Sequence, residues 1–171
     1  EGRRAALDLA DLAAVGSVAD VVPILGENRS IVRLGLARLE TDPRPGLAAL
    51  MRRARVERDG ISPDDISFGL APRINAMGRI GDPTVAAKLL LAPDVASAQG
   101  LAAELEAANK RRRELTAAAM AEARERLDQA PDAPFLVLEG DWPVGIIGLV
   151  AGRLAEEQGR PTLVLSTSVE P

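Results

Sequence analysis

Three polar side chains, Arg73, Asn75 and Arg79, fall in one short stretch that also holds Gly78 and Gly81. Arginine grips phosphate through a planar fork of donors. Asparagine supplies both a donor and an acceptor, and glycine lets a backbone come close to a ligand. The set reads as a place to hold an oxyanion. The competing reading is a helix-joining turn carrying two solvated arginines, because motifs this short also arise by chance. Residues six apart do not align on a helix. If Arg73 and Arg79 serve one site, the chain is expected to bend at Gly78.

Asp20 is the second candidate. It stands in the apolar run Val18-Ala19-Asp20-Val21-Val22-Pro23. An unpaired buried carboxylate is costly. Asp20 therefore caps a helix end, pairs with an arginine, or faces a cleft as a metal ligand. The chain has no cysteine and no histidine, which excludes disulfides, thiolate sites and imidazole ligands. A metal held by this chain would need oxygen ligands, which favours magnesium or manganese.

Formal net charge is -4, so no global basic field draws the chain to nucleic acid. Any such binding must come from local clusters. Lys110-Arg111-Arg112-Arg113 is one: either a solvated collar on a helix or a basic strip beside a nucleic-acid channel. Arg52, Arg53, Arg55 and Arg58 read as a solvated helical face.

The elements that must position these residues are mostly helices. The 171 residues are 47% apolar, with two Phe, one Trp and no Tyr, so the core is aliphatic. That length suits one ordinary domain or two small pieces. Residues 3–15 read as an apolar helix that Gly16-Ser17 breaks or bends. Further helices are expected over 30–39 and 47–56. Ser62-Pro63-Asp64-Asp65 is a good helix start, and Asp82-Pro83-Thr84 restarts another. From 94 to 129 there is no proline, and strong helix formers dominate. This predicts one helix on the order of 50 Å long. Pro131-Asp132-Ala133-Pro134 ends it and marks a domain boundary. The apolar runs 135–138 and 162–165 read as buried parallel strands. The helix between them, over 146–158, carries Gly148, Gly152 and Arg153, giving a βαβ unit whose helix start is a natural anion site. No apolar run is long enough to cross a bilayer, and nothing resembles a signal peptide. A soluble, cytoplasmic protein is expected.

Four ordered motifs then point to a family. They are the stretch from Asp11 through Asp20 to Pro23; Gly26-Glu27-Asn28-Arg29; Ala71-Pro72-Arg73-Ile74-Asn75-Ala76-Met77-Gly78-Arg79-Ile80; and Trp142-Pro143-Val144-Gly145-Ile146-Ile147-Gly148-Leu149-Val150-Ala151-Gly152-Arg153-Leu154. Together they resemble the RecJ family of single-strand-specific exonucleases, of the DHH phosphoesterase superfamily, over essentially the full chain.

The resemblance implies a helix-rich α/β fold. Residues 1–93 would be the C-terminal part of a DHH catalytic domain, 94–130 a long connecting helix, and 131–171 the start of the DHH-associated domain. It implies degradation of single-stranded DNA from the 5′ end, in repair and recombination, with Mn2+ or Mg2+ held by aspartates and histidines. Asp20 matches a catalytic metal-ligand aspartate. Arg79 matches the arginine that lines the 5′-phosphate site, and Arg73 and Asn75 belong to the same motif. Arg153 matches a phosphate-linked arginine of the second domain, with Gly152 before it. The expected partner is single-stranded DNA, with no membrane and a monomeric parent.

Departures from the family pattern bear on this. Pro143 stands where most relatives have histidine. Gly152 replaces a serine and so removes one hydroxyl donor. The family's upstream Asp-x-Asp and Asp-His-His motifs, which supply most metal ligands, are not in this sequence. The expectation is an internal fragment of a longer enzyme, inactive as a nuclease alone. The alternatives are another DHH phosphoesterase, acting on short oligonucleotides or cyclic dinucleotides, or a non-enzymatic helical interaction module.

Overall fold

A computed structural model of the chain describes residues 7–127 and 133–168. In chain order the elements are α1 (Ala10–Ala19), α2 (Gly26–Thr41), α3 (Pro45–Ala54), a π-helical segment (Asp65–Leu70), α4 (Ala71–Ile80), α5 (Pro83–Leu90), α6 (Val95–Leu127), β1 (Leu136–Gly140), α7 (Val144–Gln158) and β2 (Thr162–Ser166). Helix dominates, and the two strands form one parallel pair with Leu138 opposite Val164. The proposed starts of the first helix, at residue 3, and of the boundary at Pro131-Asp132 lie outside the described residues. No described helix is long and apolar enough to cross a membrane.

Two apolar cores share one long helix. The first gathers Leu39, Leu47, Leu50, Ile66, Leu70 and Leu89 with Ala98, Ala102 and Leu105 of α6. The second gathers Leu138, Trp142, Ile146, Val150, Leu154 and Val164 with Ala119, Met120 and Ala123 of the same helix. Alanine at the α6 contact positions brings neighbouring helices close. Between the two sets lie the buried polar residues Asn109 and Thr116. Asn109, Arg112 and Thr116 follow the three- and four-residue spacing of a single helical face.

Specific polar contacts fix the first lobe. Asp11 is fully buried and receives Arg44 Nε at 2.8 Å and Arg44 Nη2 at 2.6 Å. Arg38 Nε lies 3.8 Å from the same carboxylate. Arg73 Nε donates to Glu106 Oε2 at 2.5 Å and its Nη1 to the Gly69 carbonyl at 2.6 Å. This ties α4 and the π-helical segment to α6.

Three local expectations need correction. Helix α1 continues unbroken through Gly16-Ser17, because burial of Ala14, Val15 and Val18 outweighs the weak helix preference of the pair. Helix α4 is continuous through Gly78, with Pro72 accommodated in its first turn, so there is no bend there. The strands are not buried on both faces: Leu136, Leu138 and Val164 are buried, while Phe135, Val137, Leu163 and Leu165 are exposed. Among the described residues α7 and the end of α6 pack against one face of this two-stranded sheet, and the side chains alternate between covered and open faces. Gly159 closes α7 in the left-handed conformation at φ 63°, as its position after Gln158 suggests.

Candidate nucleic-acid interface

The two lobes meet where the end of α4 touches the start of α7. Arg79 Nη1 donates to the Gly145 carbonyl at 3.1 Å. Pro143 occupies the N-cap of α7 with its backbone extended. The first turn of this helix therefore sits beside Arg79, and the helix dipole adds partial positive charge there.

A cleft of about 410 Å³ opens at this junction. Its walls include Val18, Ala19 and Val21 from the end of α1, Phe68 from the π-helical segment, Asn75 and Arg79 from α4, Arg112 from α6 and Leu149 from α7. Asn75 and Arg79 are one helical turn apart and so share a face. Among the described residues no carboxylate lines the cleft. Arg153 is one turn beyond Leu149 on α7 and is exposed. Burial pushes the Arg112 guanidinium below the ordinary arginine value, and the charges of Arg79, Arg153 and Arg113 push it further in the same direction. Arg79 and Arg112 thus face one cleft from two elements, and Arg153 of a third lies near enough to act on the Arg112 charge. A side chain added at Gly148 or Gly152 would meet no atom within 4 Å, so the surface of α7 beside Arg153 is open.

The remaining candidates separate. Arg73 is committed to Glu106 and Gly69 and is not part of the cleft wall. The continuous helix explains this, since a six-residue step turns Arg73 away from Arg79. Asp20 is the exposed C-cap of α1, between the cleft-lining Ala19 and Val21. Val21 has φ 55°, a conformation unusual for a β-branched residue and of the kind that concentrates at functional sites. Asp20 offers a hard oxygen donor of the type that suits Mg2+ or Mn2+. One carboxylate does not make a metal centre, and no group of three or more His, Cys, Asp or Glu side chains among the described residues could hold an ion. The described residues by themselves do not fit the metal set that the resemblance implies. Pro143, in place of the family's histidine, lines a second recess with Arg79 and Arg111.

Two cleft residues escaped the sequence reading. Arg112 was visible only as one of four consecutive basic residues, and helical phase decides which of the four turns inward. Phe68 is 79% exposed at the rim. Its signal was a large aromatic in a chain nearly without aromatics.

No protein-family model matches the chain. Curated relatives do. The single-stranded-DNA-specific exonuclease RecJ of Bacillus subtilis is 37% identical over 165 residues, which is 95% of this chain and 21% of that protein. RecJ of Thermus thermophilus is 40% identical over 162 residues, 94% of this chain and 23% of that protein. Among solved structures, an exonuclease RecJ bound to manganese superposes with a TM-score of 0.83 at 38% identity, covering 96% of this chain and 43% of that one. In sequence and in fold, the chain matches a segment of the RecJ exonucleases. The Thermus thermophilus RecJ structure in complex with Mg2+ agrees, with a TM-score of 0.85 over 96% of this chain and 27% of that one. The chain spans between a fifth and a third of the length of the curated RecJ relatives it matches.

Proposed function

We propose that this chain supplies the terminal-phosphate-binding junction of a RecJ-type exonuclease, which degrades single-stranded DNA from its 5′ end in repair and recombination. The observation that carries the reading is the pairing of Arg79 and Arg112 on one cleft that, among the described residues, no carboxylate lines, with Arg153 near enough to act on the charge of Arg112. A phosphate monoester there would receive charge-assisted hydrogen bonds from two guanidinium groups and the positive end of α7. Asn75, one turn before Arg79, supplies a neutral donor. Gly152 keeps the backbone beside Arg153 approachable. Arg73 positions the motif through Glu106 rather than touching the strand.

Hydrolysis belongs to the larger protein. In this reading Asp20 contributes one carboxylate to an Mn2+ or Mg2+ centre whose other ligands come from residues outside this sequence, and the chain alone has no nuclease activity. Residues 1–93 act as the end of the catalytic domain, 94–130 as the connecting helix, and 131–171 as the start of the second domain.

Fluorescence anisotropy with 5′-phosphorylated and 5′-hydroxyl single strands tests the proposal. The phosphorylated strand should bind more tightly, and its log K against log salt should fall more steeply, by about 0.7 per additional phosphate contact. Equal affinity for the two strands, or manganese-dependent degradation by the purified chain, would refute it.

A further inference from the structure

We propose that Arg112, braced by Asn109, is a third phosphate-binding residue, reaching the terminal phosphate from the long connecting helix between Arg79 and Arg153. The inference rests on the phosphate-junction reading and adds a side chain from the element that joins the two lobes.

The case begins with what Arg112 lacks. Most of the arginines tied into the fold have a carboxylate at hand. Arg44 holds Asp11, Arg73 holds Glu106, Arg124 holds Glu157 and Arg126 holds Glu122. Among the described residues no carboxylate lies within ion-pair distance of Arg112. Its neighbours in charge are Arg79, Arg113 and Arg153. Like charges gathered in a partly desolvated place repel one another. A fold that keeps them together without a carboxylate is arranged for an anion that arrives from outside.

The side chain is also held in place. Arg112 Nη2 donates to the Asn109 side-chain oxygen at 3.0 Å, and Thr116 Oγ1 donates to the Arg112 carbonyl at 2.8 Å. Asn109 is buried, so the brace on the side chain is not a mobile surface contact. Arg112 Nε is shielded from solvent and makes no hydrogen bond to the protein, while the side chain forms part of the cleft wall. A guanidinium fixed on one edge, with donors left over and a cationic cleft in front, is preorganised for a planar two-point contact with phosphate. Because α6 belongs to both cores, the group is placed independently of either lobe's loops.

The test uses the chain as it stands, with inorganic phosphate and with 5′-phosphorylated and 5′-hydroxyl single strands as probes. Arg112→Gln should weaken binding of inorganic phosphate and of the phosphorylated strand roughly tenfold, the scale of one charge-assisted hydrogen bond. It should leave the 5′-hydroxyl strand within about twofold of its original affinity, as one lost contact to that end predicts. Arg112→Lys, which keeps the charge but loses the fork, should fall between, and Lys88→Gln should change nothing. If Arg112→Gln does not fold, the unaltered chain decides: phosphate should shift the Arg112 Nε resonance in nitrogen-detected NMR, and no shift overturns the proposal. Unchanged phosphate affinity in folded Arg112→Gln also overturns it, while a retained preference for phosphorylated strands leaves the junction reading standing. A phosphate-induced Arg112 shift without any strand preference would support the site and sink the junction reading instead.

Discussion

The Arg79 carbonyl oxygen lies where the first carbon of any side chain at residue 145 would have to go. A Cβ built on Gly145 would sit 1.8 Å from that oxygen. The opposing atom is backbone and cannot swing aside. Gly145→Ala should therefore push α7 away from α4, costing about 1–3 kcal/mol of stability and separating Arg153 from Arg79. A denaturant midpoint measured beside phosphate affinity checks this. Loss of phosphate binding at least as large as that of Arg153→Gln is expected.

Arg44→Ala should be among the most damaging single changes in the first lobe. It strands the buried Asp11 carboxylate with only the Leu12 amide and the more distant Arg38. Removing one partner of a buried pair costs about 3–5 kcal/mol. Arg44→Ala combined with Asp11→Leu should recover part of that loss, which chemical denaturation will read.

Acid should unfold the chain partly through Asp11. Burial raises its pKa, but the hydrogen bonds from Arg44 and the Leu12 amide and the charges of Arg44 and Arg38 outweigh it, and the net shift is downward. A carboxylate with a depressed folded-state pKa stabilises above its ordinary value of 3.8 and loses that contribution as pH falls through the folded value. Melting temperature should therefore drop below about pH 4. Asp65, Asp82, Asp94, Glu122 and Glu157 shift in the same direction, so the diagnostic is a shallower decline in Asp11→Asn.

Arg73 and Glu106 should couple in a double-mutant cycle. The pair is short and partly shielded, and coupling of about 1 kcal/mol is expected. Arg73→Gln should lower stability while keeping the preference for 5′-phosphorylated strands. A lost preference with unchanged stability would return Arg73 to the binding site.

Trp142, the sole tryptophan, gives the second lobe its own reporter. Its indole donates to Glu122 Oε2 at 2.7 Å, and the Arg126 guanidinium lies 5.5 Å from the ring centroid. The Trp142 hydrogen bond and Arg126 hold the Glu122 carboxyl below its usual value of 4.5. Indole emission should stay constant as pH falls to about 4.5 and shift below it, and Glu122→Gln should remove that transition.

Much of this architecture could be read from residue types. The alanine-, leucine- and glutamate-rich run predicted the start of α6 to within about one residue, its expected end lying outside the described residues, and the glycine and proline around 159–161 placed the end of α7. What resisted was phase and covering. Arg73 was grouped with Arg79 because proximity in sequence hides helical rotation, and only the uninterrupted α4 shows that Asn75 is the true neighbour of Arg79. The apolar strands were read as covered on both faces because a buried run and a half-covered one have the same composition. Arg112 was hidden among identical neighbours, since choosing among four consecutive basic residues requires knowing which helical face meets Asn109 and the cleft.

Helix α6 serves both cores without a break, and that sets the mechanics of the groove. A rod clamped at both ends by close-packed alanines cannot fold like a hinge without losing backbone hydrogen bonds. The gap beside it thus has a preset width, nearer to a gauge than to a jaw.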